Sequence, residues 1–432
     1  WSAMNSTYIE INILPWLKWR TNFGGQYRQQ RVGSYYTSEF TNPFGTRVMD
    51  SEPSTAYYRT RTNMSWTLEN LLYINKTWGK HDFGATLLQS AEESENESIY
   101  MRGYNMMFDS ALWYKMSGTA NGTITDFDTS YTRTRLASYM ARLNYTFDDK
   151  YLITLTGRWD GASVLAEGNK WDFFPSVSVA WRVDQENFMQ SQDLFSQLKF
   201  RFGYGETGNS SVAAYGTTGS IKQANTVFGD NVAFAVKSDA MPNALLGWEK
   251  TGQYNIGLDF GFLNNRITGS LEAYRADTRD LLMNKTIGPT TGYDSVQSNV
   301  AKTRNTGVEV SLTSRNIEKK DFTWTTTLSW GLNRDQVVET LYGKDTDDPT
   351  NNMYIGESLR TARGVEYDRL WGTSDSDSRL MALYLAISEY HYKPGLGIFV
   401  DQPLIEAANA TDAQLEEFGT KTANISWVNE AG

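Results

Sequence analysis

The sequence predicts an all-β protein, specifically a transmembrane antiparallel up-and-down β-barrel. Three observations predict this fold. Polar and apolar residues alternate with period two along segments of about 10 residues, the length that a tilted strand needs to cross a bilayer. The connections between these segments alternate between short and long. Aromatic residues make up 14% of the 432 residues, and many lie near segment ends, as they do at membrane–water interfaces.

The alternation indicates strands with one apolar and one polar face. In the segment that begins at Tyr151, Ile153 and Leu155 fall on one face, and Thr154 and Thr156 fall on the other. Arginines recur on the polar face, and facing lipid they would be costly, so that face is the wet one. We expect eleven such strands, beginning near Ile13, Thr67, His81, Leu136, Tyr151, Ser176, Leu198, Glu249, Ile267, Thr306 and Phe322.

The lengths of the connections favour a barrel over a soluble sheet protein. Outer-membrane barrels have short periplasmic turns and long extracellular loops in strict alternation. A secreted β-sandwich or propeller also alternates along its strands but has no reason to sort its long connections to one end, and no repeat of propeller length is visible. The shorter set is 78–80, 148–150, 184–196, 263–266 and 315–321, and the longer set is 25–65, 91–135, 160–175, 205–248 and 277–305.

Composition excludes several other classes of protein. The chain has no cysteine, which excludes a disulfide scaffold and cysteine-ligated metals. Its net charge is −10 without a Lys/Arg-rich run, which argues against nucleic acid as a partner. With two histidines and no catalytic motif, we expect no enzyme activity, no cofactor and no metal.

The beginning, Trp1-Ser2-Ala3-Met4, lacks the features of a signal peptide, so we expect the chain to be part of a longer polypeptide.

Three stretches resemble one family in order and spacing. The first runs from Asp149-Lys150-Tyr151 through Arg158-Trp159-Asp160-Gly161 and Phe174-Pro175-Ser176 to Glu186-Asn187-Phe188-Met189, the second from Leu198-Lys199-Phe200 to Thr207-Gly208-Asn209, and the third from Trp248-Glu249-Lys250 to Asn305-Thr306-Gly307. Together they resemble the SusC/RagA-type TonB-dependent outer-membrane transporters. The resemblance is close over 136–338, looser over 8–89, and poor past 344.

The resemblance implies a barrel of about 22 strands with a plug inside, of which this chain would supply about half or more, without the plug. It implies TonB-driven import of a nutrient across the outer membrane of a Gram-negative bacterium. The implied partners are TonB, a SusD-type surface lipoprotein, outer-membrane lipid and the substrate, an oligosaccharide first and a peptide second. A siderophore or corrinoid TonB-dependent receptor and a secreted carbohydrate-active all-β protein remain as alternatives.

Two further expectations concern domains and ligand binding. We expect 1–344 to form barrel strands with long extracellular loops, and 345–432 to be an extracellular loop or a divergent barrel segment.

A long connection on the expected outer side is flanked by Trp159, Asp160, Asn169 and Trp171. Rings stack on sugar faces and Asp or Asn side chains pair with hydroxyls, so these four form the candidate ligand site. Alternatively, Asp160-Gly161 is turn chemistry and the two tryptophans are interfacial or loop-packing residues.

Overall fold

The computed structural model describes residues 1–37, 54–104, 106, 108–116, 126–228, 231–361, 367–370 and 397–399. The chain divides into two compact units, Trp1–Leu359 and Arg360–Gly432. Within the described ranges the secondary structure is strand with short 3₁₀ turns, which confirms the all-β prediction. No helix there is long and apolar enough to span a membrane. The 3₁₀ turns are Asp109–Ala111, Val183–Gln185, Asn187–Met189, Gly216–Thr218, Pro289–Thr291 and Pro349–Asn351.

The strands are numbered in chain order. They are β1 (Ser2–Leu14), β2 (Leu17–Thr37), β3 (Ser54–Trp78), β4 (His81–Tyr104), β5 (Asp126–Phe147), β6 (Tyr151–Ala162), β7 (Trp171–Arg182), β8 (Phe195–Asn209), β9 (Ile221–Phe228), β10 (Asn231–Ser238), β11 (Ala240–Met241), β12 (Glu249–Phe262), β13 (Ile267–Arg279), β14 (Leu282–Thr286), β15 (Ser295–Asn299), β16 (Lys302–Lys319), β17 (Phe322–Glu339), β18 (Tyr367–Leu370) and β19 (Gly397–Phe399). In the second unit, β18 and β19 pair antiparallel.

Twelve strands form one antiparallel sheet in the order β1-β2-β3-β4-β5-β6-β7-β8-β12-β13-β16-β17. Each inner strand pairs with the members of this sheet that precede and follow it in the chain, which confirms the up-and-down topology. The sheet is open, with β1 and β17 at its edges. The sequence predicted about eleven strands, and this sheet has one more. The missed strand is β1, because only Pro15 and Trp16 separate it from β2 and the boundary is hidden.

The alternation of connections is confirmed by strand order. One end of the sheet carries 15–16, 79–80, 148–150, 183–194, 263–266 and 320–321, and the other carries 38–53, 105–125, 163–170, 210–248 and 280–301. In outer-membrane barrels the first set is periplasmic and the second extracellular. Length alone would assign one pair of connections to the wrong ends of the sheet. The connection 183–194 of the first set is longer than 163–170 of the second set.

Four strands extend far beyond a bilayer crossing. β2, β3, β4 and β5 have 21, 25, 24 and 22 residues, about twice the 9–11 that a crossing requires. The first two predicted extracellular loops, 25–65 and 91–135, were therefore too long, since much of each is strand. Polar residues are common in this part of the sheet, so the apolar pattern fades there while the hydrogen-bonded ladder continues.

The register separates an apolar face from a polar face across the whole sheet. Leu143, Leu155 and Val177 are directly paired in one row, and the adjacent row pairs Arg142, Thr156 and Ser176 on the other face. Within the described residues, these apolar side chains are exposed and no second sheet covers them. Leu155 is 46% exposed and Trp330 is 54% exposed. Such a row matches a surface that meets lipid.

Two aromatic belts bound the apolar row. At the short-turn end, Trp78 stacks on His81 and Phe147 stacks on Tyr151, with ring centroids 5.5 and 6.5 Å apart. At the other end, Trp171 lies 6.0 Å from Tyr139 and 6.1 Å from Trp159.

The spacing of the belts fits a membrane. In β7, the upper belt is marked by Trp171 and the lower belt by Trp181. The strand between them is about 33 Å long. At a strand tilt of about 40° this length corresponds to the ~25 Å apolar band of an outer-membrane barrel. Just beyond the upper belt, the same face becomes charged. Arg133 lies 2.8 Å from Glu93, and Arg135 lies 2.5 Å from it. The bilayer therefore ends near the upper belt.

The two longest extracellular connections are tied together. β11 of the 210–248 connection pairs in parallel with β15 of the 280–301 connection. The Lys222 amine lies 2.7 Å from Asp239 and 3.0 Å from Asp294. Hydrogen bonds to these two carboxylates raise the pKa of Lys222, and the hydrogen bond from Lys222 lowers the pKa of Asp239. The two connections thus form one structured unit above the sheet.

Candidate functional site

The polar face carries ion pairs at mid-strand, where the opposite face is apolar. Arg201 on β8 donates two hydrogen bonds to Asp259 on β12, of 2.7 and 2.8 Å, and one of 2.8 Å to Glu272 on β13. Gly257 lies directly opposite Arg201. A Cβ there would come within 2.9 Å of the guanidinium carbon, so glycine leaves space for the guanidinium to lie across the strand and reach both carboxylates.

A second cluster lies on the same face nearer the extracellular end. Arg158 donates to both oxygens of Asp160, at 2.7 and 2.8 Å, and to the Ser138 hydroxyl at 2.8 Å. Ser138 is fully buried, and Asp160 is almost fully buried. Charges held by partners in this way line a wet surface at low cost, whereas the same charges facing lipid would be strongly unfavourable.

The structure separates the four predicted ligand residues. Trp159 and Trp171 lie on the apolar face in the upper aromatic belt, with their rings 6.1 Å apart. Asp160 lies on the polar face, where it accepts hydrogen bonds from Arg158. Asn169 lies in the 163–170 connection, where its amide donates to the Leu245 carbonyl oxygen at 3.0 Å. A single ligand in the lumen would reach Asp160 but not the two indoles, and ligand binding by these residues stays a prediction.

The Trp171 indole is held in place by local packing. It covers Gly161 on the neighbouring strand, where a Cβ would come within 2.5 Å of the indole ring. The sequence analysis gave interfacial packing as the alternative role of these tryptophans, and their position in the upper belt agrees with that alternative.

Neither side of the described sheet offers a metal centre. Among the residues that the structure describes, no group of three or more His, Cys, Asp and Glu side chains is placed to hold a metal ion. His81 donates or accepts a 2.7 Å hydrogen bond with the Tyr145 hydroxyl and stacks on Trp78. His391 lies outside the described residues. The polar face therefore presents binding groups, mostly arginines, carboxylates, amides and hydroxyls.

A two-faced antiparallel sheet with these belts is the wall of an outer-membrane barrel, and comparison with known families agrees. The family model described as "TonB dependent receptor-like, beta-barrel" matches residues 9–408. The chain belongs to this family. The prediction of a SusC/RagA-type protein of the outer membrane is confirmed. The match continues past residue 344, where the resemblance read from individual motifs becomes poor.

Two curated relatives are described as TonB-dependent receptors. TonB-dependent receptor P26 of Formosa agariphila is 29% identical over 91% of the chain and 41% of its own length. TonB-dependent receptor SusC of Bacteroides thetaiotaomicron is 29% identical over 91% of the chain and 38% of its own length. The chain thus spans about two fifths of the length of the curated relatives it matches.

Solved structures show the same fold. The RagAB peptide transporter matches with a TM-score of 0.73 at 23% identity, over 87% of this chain and 40% of that one. The RagAB peptide importer in the "open-open" state matches with a TM-score of 0.73 at 22% identity, over 93% of this chain and 43% of that one. At this level of identity the likeness concerns the fold.

Proposed function

We propose that this barrel takes part in TonB-driven import of a nutrient across the outer membrane, with an oligosaccharide as the cargo. One observation carries the proposal: a single sheet has an exposed apolar face bounded by two aromatic belts, while its opposite face holds ion pairs at the same depth. Such a wall separates lipid from a water-filled lumen. The polar face would then line the path of the cargo.

The proposed role is passage and binding, without covalent chemistry. The relatives named above are receptors and transporters, which supports this role. The mid-strand charges are engaged with each other, as in the three hydrogen bonds of Arg201. Paired groups of this kind hold a wall in shape and leave the lumen open.

We propose two partners for the full-length protein. TonB would supply energy from the inner membrane, and a SusD-type lipoprotein would cover the extracellular end. The long upper parts of β2 to β5 and the joined connections 210–248 and 280–301 would give such a lipoprotein a structured surface to rest on. Membership of the family and the SusC relative support this arrangement.

A peptide is the second candidate cargo. The RagAB structures with the same fold are described as a peptide transporter and importer, which is the observation that favours it. Import of a siderophore or corrinoid remains a more distant alternative, and a secreted carbohydrate-active protein does not fit a family of outer-membrane barrels.

Uptake by intact cells tests the proposal. The host strain, a strain deleted for the full-length gene and a strain deleted for TonB would be offered fluorescent maltotetraose, fluorescent tetragalacturonate and a fluorescent tetrapeptide. We expect uptake of an oligosaccharide that is lost in both deletion strains. Uptake of the peptide alone would show that the cargo is a peptide and not an oligosaccharide. Oligosaccharide uptake that persists without TonB would refute active import.

Co-purification tests the lipoprotein partner separately. Full-length protein with an affinity tag would be extracted in mild detergent and purified with whatever accompanies it. We expect a SusD-type lipoprotein in near-equal amount. Recovery of the barrel protein alone at every detergent strength would contradict the partner proposal while leaving the import proposal untouched.

A further inference from the structure

A group of arginines and tyrosines lies on the polar face high above the membrane. It comprises Tyr57 and Arg59 on β3 and Tyr100, Arg102 and Tyr104 on β4, and is called the upper arginine–tyrosine cluster. Cross-strand pairing places Arg59 opposite Tyr100 and Tyr57 opposite Arg102. Gln89, which pairs with Tyr139 of the upper belt, precedes Tyr100 by roughly 35 Å of strand. The cluster therefore lines the extracellular mouth.

The members of the cluster hold one another in fixed positions. The Arg59 guanidinium lies 5.3 Å from the centre of the Tyr57 ring and 5.6 Å from that of Tyr100. Arg102 lies 5.9 Å from the Tyr104 ring and donates a 3.1 Å hydrogen bond to its hydroxyl. Stacking on aromatic faces keeps the planar guanidinium groups oriented.

One donor of the cluster has no hydrogen-bond partner. The Nε of Arg59 is buried and unpaired within the described structure. A buried donor without an acceptor is unfavourable, so the surroundings favour a ligand that supplies an oxygen. Arg102 has a carboxylate neighbour, Asp126 on β5, at 3.9 Å, and Asp126 also accepts from the Tyr100 hydroxyl at 2.6 Å.

The local charge favours an anion. On the polar face, Arg59, Arg61 and Arg102 outnumber the two neighbouring carboxylates, Asp126 and Asp128 on β5, which pair opposite Arg102 and Tyr100. This excess of positive charge contrasts with a net charge of −10 for the chain. Arginines grouped at a concave mouth attract anionic ligands and orient their oxygens.

We propose that the upper arginine–tyrosine cluster binds an anionic group, a carboxylate or a sulfate ester, on an oligosaccharide entering the lumen. This inference rests on the proposed function and narrows its cargo to acidic oligosaccharides. Arg59 and Arg102 would donate hydrogen bonds to the anionic oxygens. The tyrosine hydroxyls would donate hydrogen bonds to the sugar hydroxyls or accept hydrogen bonds from them. Both strands lie inside the sheet with neighbours on each side, so no free edge is available to bind the backbone of a peptide.

Binding to full-length protein in its co-purified complex tests this site. Calorimetry would use tetragalacturonate for the carboxylate, a κ-carrageenan tetrasaccharide for the sulfate, maltotetraose as the neutral sugar and tetraglutamate as the acidic peptide. We expect at least one acidic sugar to bind about tenfold or more tightly than maltotetraose, with an affinity that falls as salt rises. The double variant Arg59→Gln/Arg102→Gln should lose about tenfold in that affinity.

Arg31→Gln is the matched control. Arg31 pairs with Thr60, the residue next to Arg59, so it lies at the same height but on the opposite face, and it is exposed. This variant should bind acidic sugars as the parent does. Heat-modifiable gel mobility would verify that all variants are folded.

Three results would overturn the site. These are equal affinity for neutral and acidic sugars, unchanged acidic-sugar binding in the double variant, and preferential binding of tetraglutamate. TonB-dependent import of maltotetraose by the double variant would show that the import proposal holds independently of this site. The calorimetry then decides by itself whether the cluster recognises acidic sugars. If no oligosaccharide enters wild-type cells, the proposed function itself fails.

Discussion

Adjacent residues of this protein face different solvents. Trp159 and Asp160 are neighbours on β6, yet the indole is 54% exposed on the apolar face while the carboxylate is bound by Arg158 on the polar face. Successive side chains of a strand point to opposite sides, so this division follows directly from the strand. Each substitution in the sheet must therefore be judged by its face before its chemistry.

Glu186 at the short-turn end should make the stability of the barrel depend on pH. Its carboxylate accepts 2.6 Å and 3.0 Å hydrogen bonds from Tyr151 and Trp181 and lies 3.4 Å from the Lys150 amine. The hydrogen bond from Tyr151 contributes most to holding the pKa of Glu186 below its usual range. A depressed folded-state pKa contributes stability that is fully present above the unfolded value of about 4.3 and is lost as pH falls from there through the folded-state pKa.

The test compares melting temperatures of wild-type protein and Glu186→Gln in detergent between pH 7 and pH 3. We expect the variant to melt a few degrees lower at pH 7, with the difference shrinking as pH falls toward 3. Glu167→Gln is the control, because Glu167 is almost fully exposed and pairs only with Lys170, a kind of pair that contributes little. A difference as large at pH 3 as at pH 7 would contradict the explanation.

Arg201 should be the most sensitive charge on the polar face. Arg201→Met would leave Asp259 and Glu272 close together without their shared cation. Because the guanidinium is 30% exposed, we expect a loss of about 1–2 kcal/mol in the free energy of unfolding rather than the larger cost of a fully buried pair. Urea unfolding in detergent would measure it. Arg142→Gln, which loses one 3.2 Å bond to Thr156, should change little, and an equal loss in both variants would refute the assignment.

At the scale of the strand, depth and face decide the cost of a charge. Leu155 lies midway between Tyr151 of the lower belt and Trp159 of the upper belt, on the apolar face. Its neighbour Thr154 donates a 3.0 Å hydrogen bond to Asn144 on the polar face. We expect Leu155→Arg to destabilise the protein by about 2–4 kcal/mol, as arginine does on the lipid face at the bilayer midplane.

Thr154→Arg serves as the matched control one residue away. It should assemble almost normally, because its side chain enters the lumen. The measurement is the heat-modifiable fraction in outer membranes, together with the free energy of unfolding in lipid vesicles. Assembly of Leu155→Arg at wild-type yield, or equal damage from both substitutions, would mean that the two faces are wrongly assigned.

At the scale of the whole molecule, the sheet is a wall whose edges are β1 and β17. Buried clusters are small and lie at the loop end, such as the one formed by Ala162, Leu165, Phe174 and Trp248. Most large apolar side chains of the sheet are exposed instead. The stability of the sheet therefore depends on contact with lipid rather than on a protein core. This arrangement is the physical reason for a membrane location.

Fractionation of cells provides the corresponding test. Full-length protein should sediment with outer membranes, resist extraction by alkaline carbonate, and migrate faster on gels before boiling than after it. Each property follows from a closed, lipid-facing barrel. Protein released by buffer alone, in a compact state that lacks heat-modifiable mobility, would contradict the assignment of the apolar face to lipid.

The sequence by itself determined the fold class, the two faces and the parity of the connections, because a period of two reports burial directly and each crossing alternates the side of the membrane. Only the tertiary structure decided the strand ends, since polar strands above the membrane, such as those carrying Arg59 and Tyr100, keep the ladder without the apolar pattern. It also brought Tyr57, Arg59 and Arg102 together. Cross-strand register sets such contacts, and register depends on pairing between residues that are distant in sequence.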